Sequence, residues 1–98
     1  YITDHRILDR NWRTRRGELD IVALHRATVV AVEVKTRSGT GYGNPLEAIT
    51  ARKAARIRSL LLDWAREHDV RGSLRVDAIG ITLQPGGDPL IDHLQGIS

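Results

Sequence analysis

The stretch that most restricts how this chain folds is Gly17–Arg37, GELDIVALHRATVVAVEVKTR. It reads as two β-strands joined by a short connection, because its apolar residues first alternate and then run together through VVAV. Side chains alternate faces along a strand, so Glu18 and Asp20 share one face, and Leu19, Ile21 and Ala23 the other. In the second strand Val29, Ala31, Glu33 and Lys35 share a face, opposite Val30, Val32 and Val34. A run that is apolar on both faces up to Glu33 marks a central strand buried from two sides. His25, Arg26, Ala27 and Thr28 make the connection, short enough for an antiparallel hairpin with roughly four or five loop residues. That register brings Asp20 and Glu33 side by side near one end of the pair.

Four charged residues, Glu18, Asp20, Glu33 and Lys35, thus sit where an apolar sheet buries side chains. An isolated buried carboxylate takes a proton or a partner, and two side by side repel unless a cation intervenes. Carboxylate oxygens, completed by water and phosphate oxygens, are what Mg²⁺ prefers. Lys35, two residues beyond Glu33 on the same face, adds a positive charge able to hold or deprotonate an attacking water, or to stabilise transition-state charge. These residues point to a divalent metal ion and a phosphodiester. The competing reading is a structural ion pair at a strand end, since a lone E-x-K is common on exposed strands.

Asp20 followed by Glu33-Val34-Lys35 resembles the PD-(D/E)xK signature of restriction-endonuclease-like nucleases. More narrowly, RNWR (Arg10–Arg13), GELDIVA (Gly17–Ala23), VEVKTRSG (Val32–Gly39), GYGNPLEAIT (Gly41–Thr50) and the closing IDHLQGIS resemble the YraN-type family of uncharacterised bacterial proteins, which are predicted endonucleases. The resemblance covers essentially the whole chain. It implies that Asp20 and Glu33, with Val34 in the metal set, bind Mg²⁺ or Mn²⁺, that Lys35 serves the water, and that Glu18 assists. It also implies a leading helix carrying another Glu, whereas this chain starts at Tyr1 directly ahead of its first strand. The expectation is therefore a piece of a longer product, or association as a homodimer that covers the sheet face left bare.

Length and charge agree with this reading. Ninety-eight residues make one domain, residues 1–98, with an aliphatic core: there is no Phe, and only two Trp and two Tyr. The absence of Cys excludes a disulfide framework and thiolate metal sites, and fits a cytoplasmic setting. No apolar run approaches the roughly 18 residues of a membrane span, and no secretory signal opens the chain. The net charge of +3 is unevenly spread: residues 1–37 carry +3, 38–71 carry +2 and 72–98 carry −2. The basic surplus surrounds the proposed site, the footprint of a nucleic-acid face; an ordinary arginine-rich surface would look similar.

The remaining elements follow in order. A first strand spans roughly His5 to Asn11, anchored by Ile7 and Leu8, with Trp12 a core or lid residue. Arg13, Arg15 and Arg16 lie on the turn closed by Thr14 and Gly17, where they either contact phosphates or balance Glu18 and Asp20. Arg37 belongs to the same basic set. Gly39–Gly43 is a glycine loop without the pattern of a nucleotide-binding P-loop, able to close Tyr42 over substrate. Asn44-Pro45-Leu46-Glu47 is a helix-start signature, and Thr50 offers a second cap. From Ala51 to about His68, Ala54, Ile57, Leu61, Trp64, Ala65 and His68 form one stripe, and Arg52, Arg56, Ser59, Asp63 and Arg66 the opposite one. Lys53 and Arg56 project toward the edge that holds Lys35. SLRVDAIGIT (Ser73–Thr82) is a strand parallel to the Glu33 strand, in which Asp77 pairs with Arg75 or caps backbone. LIDHL (Leu90–Leu94) returns as an edge strand with His93 at the surface, and His68 ends the helix without serving as a ligand.

The fold class is α/β, a mixed α+β sheet in the order strand-strand-strand-helix-strand of a restriction-endonuclease-like core. Two functions compete: metal-dependent endonuclease action on DNA, on branched or distorted substrates with little sequence specificity, or a DNA-binding module on the same scaffold that cuts nothing. An RNA-directed role is weaker, because no aromatic stacking platform is apparent.

Overall fold

A computed structural model describes residues 4–38 and 45–98. Three strands come first: β1 (His5–Thr14), β2 (Gly17–His25) and β3 (Thr28–Ser38). A 3₁₀ turn (Pro45–Ala48) and helix α1 (Ala51–Glu67) precede β4 (Ser73–Leu83) and β5 (Leu90–Leu94). The strands form one five-stranded sheet ordered β1-β2-β3-β4-β5. Neighbours are antiparallel except β3 and β4, which run parallel because α1 carries the chain back between them. This is the mixed architecture expected of a restriction-endonuclease-like core. The Gly39–Gly43 loop, Tyr42 and the capping role of Asn44 lie outside the described residues.

The helix forms for the reasons its sequence suggests. Thr50 caps it, its hydroxyl accepting from the Lys53 amide at 3.1 Å. The stripe Ala54, Ile57, Leu61, Trp64 and Ala65 is buried, and Leu60 joins it. The helix stops at a Schellman turn: Asp69 takes a φ of 52°, the Val70 amide reaches the Ala65 carbonyl and the Asp69 amide the Arg66 carbonyl. The buried stripe packs on Leu19, Val22, Val29, Ala31 and Val76 of the sheet. Val30, Val32 and Ile79 form a second cluster with Ile21, Val34 and Ile81. Among the described residues no helix is long and apolar enough to cross a membrane.

Three sequence expectations need correction. Ile7 and Leu8 do not anchor β1; they are 39% and 37% exposed, because β1 is an edge strand with a register shift between Ile7 and Asp9. The two tryptophans hold it instead: the Trp12 indole donates to Glu67 and the Trp64 indole to Asp9, at 2.9 and 2.8 Å. The β2–β3 connection is tighter than expected, since His25 pairs directly with Thr28 and Arg26 adopts a φ of 58°. Finally, strict alternation fails in β2. Leu19 packs with Val22 against the helix, while Ile21 packs in the other cluster. Opposite this break, between the Arg10–Ile21 and Trp12–Leu19 pairs, Asn11 has a φ of 51°, a left-handed kink that asparagine tolerates.

Candidate active site

The break in β2 coincides with a fork in the sheet. β2 and β3 are paired from His25–Thr28 to Ile21–Val32 and no further. Beyond that point β2 continues with β1 to Gly17, while β3 continues with β4 to Ser38. Asp20 and Glu33 are the first residues past the fork. The Val34 amide, which has left the β2 ladder, donates to Asp20 Oδ2 at 3.0 Å. Asp20 is thereby locked in place with its second oxygen still able to accept. Val34, assigned to the metal set by resemblance, contributes this amide.

The geometry concentrates like charges. Glu33 is 14% exposed and Lys35 30%, with Lys35 Nζ 3.9 Å from Glu33 Oε1. Burial, followed by the hydrogen bond and the charge repulsion from Asp20, pushes the Glu33 carboxyl up to about 7; Lys35 and Lys53 pull the other way and are outweighed. Lys53, from the first turn of α1, meets Lys35, and that contact together with partial desolvation holds its ammonium below the ordinary lysine range. Two carboxyls and two ammoniums thus share one end of the sheet, acid against acid and base against base.

The helix roofs this group. A cleft of about 200 Å³ is walled by Glu18, Asp20 and Glu33 from the sheet and by Lys53, Arg56 and Leu60 from α1. At roughly 30 Å³ per water it has room for several. Gly17 lies close under the helix: its φ is 148°, and a Cβ there would sit 3.0 Å from Leu60 Cδ1. A side chain at position 17 would crowd the Leu60 side chain of α1 and strain a backbone that L residues rarely adopt.

The other sequence-predicted residues divide. Glu18 is exposed and accepts from Arg13 Nε at 2.8 Å, so it lines the cleft already paired. Arg16 is tied to the helix through Asp63 at 2.5 Å and Ser59 at 2.7 Å, and these partners explain the polar Ser59 and Asp63 of α1. Arg56 donates to the Arg16 carbonyl and lines the cleft. Arg15 is exposed on the β1–β2 turn, and Arg37 lies half-buried on β3 beside Thr82.

Two acidic oxygens confined by a fork, with one carboxyl driven toward protonation by the other, fit a hard divalent ion such as Mg²⁺ or Mn²⁺, which would relieve their repulsion. Asp77 behaves differently. It accepts from Arg75 and from the Gly96 amide, as the structural reading of the sequence expects. His93, expected at the surface, is only 21% exposed, because its Nε2 lies 3.0 Å from Asp77 Oδ2. The closing IDHLQGIS motif therefore supplies two groups, His93 and Gly96, to one buried acid. Its sequence signal was a histidine and a glycine near an edge strand, too general to assign.

Comparison with known proteins finds relatives of this chain. The model of Uncharacterised protein family UPF0102 matches residues 3–81. A UPF0102 protein of Clavibacter michiganensis subsp. michiganensis is 49% identical over 87 residues, covering 88% of this chain and 74% of the relative. One from Leifsonia xyli subsp. xyli is 52% identical over 92 residues, covering 93% and 78%. One from Frankia alni is 50% identical over 91 residues, covering 92% and 76%.

Proposed function

The chain belongs to the uncharacterised protein family UPF0102, the YraN-type group its motifs resemble, and for it we propose metal-dependent hydrolysis of DNA phosphodiester bonds. The observation that carries this reading is the fork itself, where Asp20 and Glu33 are crowded together, Glu33 is pushed up to about 7, and Lys35 stands 3.9 Å away. A purely structural ion pair brings opposite charges together and has no use for this crowding.

Asp20 and Glu33 would hold Mg²⁺ or Mn²⁺. Bound there, the ion lowers the pKa of a water and polarises a phosphoryl oxygen. Lys35 orients the attacking water and offers its charge to the developing oxyanion. Lys53 and Arg56, on the roof of the cleft, hold the phosphate in line, and Arg13, Arg15 and Arg37 extend the basic track on either side. Arg16 acts indirectly, by bracing the β1–β2 turn against α1. Phosphate contacts carry no sequence information, so specificity is low and lies in DNA shape, with branched or distorted DNA the preferred class. A cytoplasmic setting supplies both substrate and ion.

Purified protein is incubated with supercoiled and branched DNA, with Mg²⁺ or Mn²⁺ or with a chelator. Cleavage is expected only with the ion. It is expected to vanish in Asp20→Ala and Glu33→Ala and to fall at least about 100-fold in Lys35→Ala. Salt-sensitive DNA binding without cleavage, unchanged by these substitutions, would replace the nuclease by a binding module.

A further inference from the structure

We propose that His5, Asp77 and His93 form a divalent transition-metal site, separate from the acidic fork, that staples the first strand of the sheet to the last. The site lies on the sheet face away from α1. Along β4, Leu74 and Val76 pack toward the helix-side cluster, while Ile79 and Ile81 pack in the other one; Arg75 and Asp77, four and two residues before Ile79, share the face of the latter pair.

The first observation is a contact that a flat sheet forbids. β1 and β5 are opposite edges of a five-stranded sheet. Four inter-strand spacings of about 4.8 Å would hold them roughly 19 Å apart. Yet the His5 and His93 rings have centroids 5.7 Å apart. The sheet curls enough for side chains of its two edge strands to touch across this face, although the strands themselves do not pair, and the side chains that touch are imidazoles around a carboxylate.

The second observation is the donor geometry. One ligand atom from each of His5, Asp77 and His93 lies within 4.8 Å of the others. Asp77 Oδ2 is 3.0 Å from His93 Nε2 and 3.9 Å from His5 Nε2. Ligands of a tetrahedral zinc ion at its usual bond lengths stand about 3.4 Å apart, so the two separations straddle that value. Two imidazoles and one carboxylate suit zinc or a similar transition ion better than magnesium, with a fourth position left for water.

The surroundings orient the same three groups. Arg75 grips Asp77 through Nε on Oδ1 at 2.7 Å and Nη2 on Oδ2 at 3.0 Å, and the Gly96 amide adds a bond to Oδ1 at 3.0 Å. Such outer-shell bonds fix a ligating carboxylate. Arg75 Nη2 also lies 2.9 Å from His25 Nδ1, and since arginine only donates, His25 accepts there and is uncharged. His25 stacks on His5 at 4.1 Å, which aligns the His5 ring. The guanidinium charge opposes a nearby dication and tempers its affinity. The ion takes the place of the proton between His93 and Asp77, and because its ligands come from both ends of the chain its binding energy becomes folding energy.

The test uses tag-free full chain at pH 7.5, titrated with Co²⁺ as a spectroscopic probe and with Zn²⁺ for stability. Expected are an intense d–d absorption of the four-coordinate kind that saturates at one equivalent, distinct from the weak absorption of Co²⁺ held by oxygen ligands at the fork, and a melting-temperature rise of about 10 °C at a hundredfold excess over the dissociation constant. His5→Gln and His93→Gln should weaken the binding read from the intense band at least tenfold, while Asp20→Asn and Glu33→Gln affect only ion binding at the fork and not that band. His5→Gln is decisive if His93→Gln fails to fold. No saturable spectrum and no shift in wild type would overturn the proposal, as would a signal lost in Asp20→Asn but kept in His5→Gln. Because the readout is binding and stability, its failure leaves the nuclease reading standing, and the converse holds.

Discussion

The sheet carries two acid clusters, a partly buried one at the fork and a fully buried one on the other face, and they are built on opposite principles. At the fork, Asp20 and Glu33 face each other and Lys35 faces Lys53, so like charges are neighbours. Behind the sheet, Asp77 is fully buried but receives Arg75, His93 and the Gly96 amide, so every oxygen is answered from within the chain. A cluster that balances itself contributes to the fold. A cluster that opposes itself costs stability until a cation offsets its repulsion, whereas a self-balanced one holds its shape whether or not an ion joins it.

The titration behaviour of the two clusters expresses this contrast. Burial alone would push the Asp77 carboxyl up, but Arg75, the Gly96 amide and His93 together hold it below the usual range. Its stabilisation is therefore present above the unfolded carboxylate pKa and is lost as pH falls through the folded one. Glu33 runs the other way, since a carboxyl raised to about 7 holds a proton that the unfolded chain has released. Stability falls as pH climbs from the ordinary value near 4.5 toward 7, and then levels off.

The largest expected effect breaks the self-balanced cluster. Asp77→Ala leaves Arg75 facing a buried gap and should destabilise by roughly 3–5 kcal/mol, read from urea unfolding at pH 7. That is a large share of the roughly 5–15 kcal/mol that holds a typical domain. A loss under about 1 kcal/mol would mean the two clusters do not differ in kind. Next is the opposite sign at the fork. Glu33→Gln should raise stability by about 1–2 kcal/mol above pH 7 without divalent ions, and lose that advantage near pH 4. Destabilisation at pH 8 would show that Glu33 is structurally satisfied.

Smaller still is the lysine pair. Lys53→Gln relieves its repulsion with Lys35, so stability should change by less than about 0.5 kcal/mol, while the slope of log affinity for DNA against log salt should drop by about one. An unchanged slope would remove Lys53 from the phosphate track. The smallest effect belongs to the rim: Arg13→Ala breaks an exposed ion pair with Glu18 and should cost between about 0 and 1 kcal/mol. A larger loss would make Glu18 part of the fork.

Much of this arrangement was legible before any fold was known. The alternation in β3, the helical stripe of α1, the Thr50 cap and the parallel crossover into β4 follow from periods of 2 and 3.6 and from local chemistry. The Asp20–Glu33–Lys35 group was legible for the same reason, since a tight hairpin makes its register a local property. Ile7 and Leu8 misled because an edge strand with a register shift exposes residues that an interior strand would bury. Leu19 misled because one left-handed residue on the neighbouring strand accompanies a change of face.

The residue pattern alone established which segments are strands and helix, and which acids and lysine stand together, because those relations span one hairpin. Tertiary structure alone decided that Arg16 belongs to Asp63 and that His5 meets His93, partners 47 and 88 positions apart in the chain. Such contacts depend on how far a twisted sheet curls and where a helix lands, sums of many small rotations that no local period encodes.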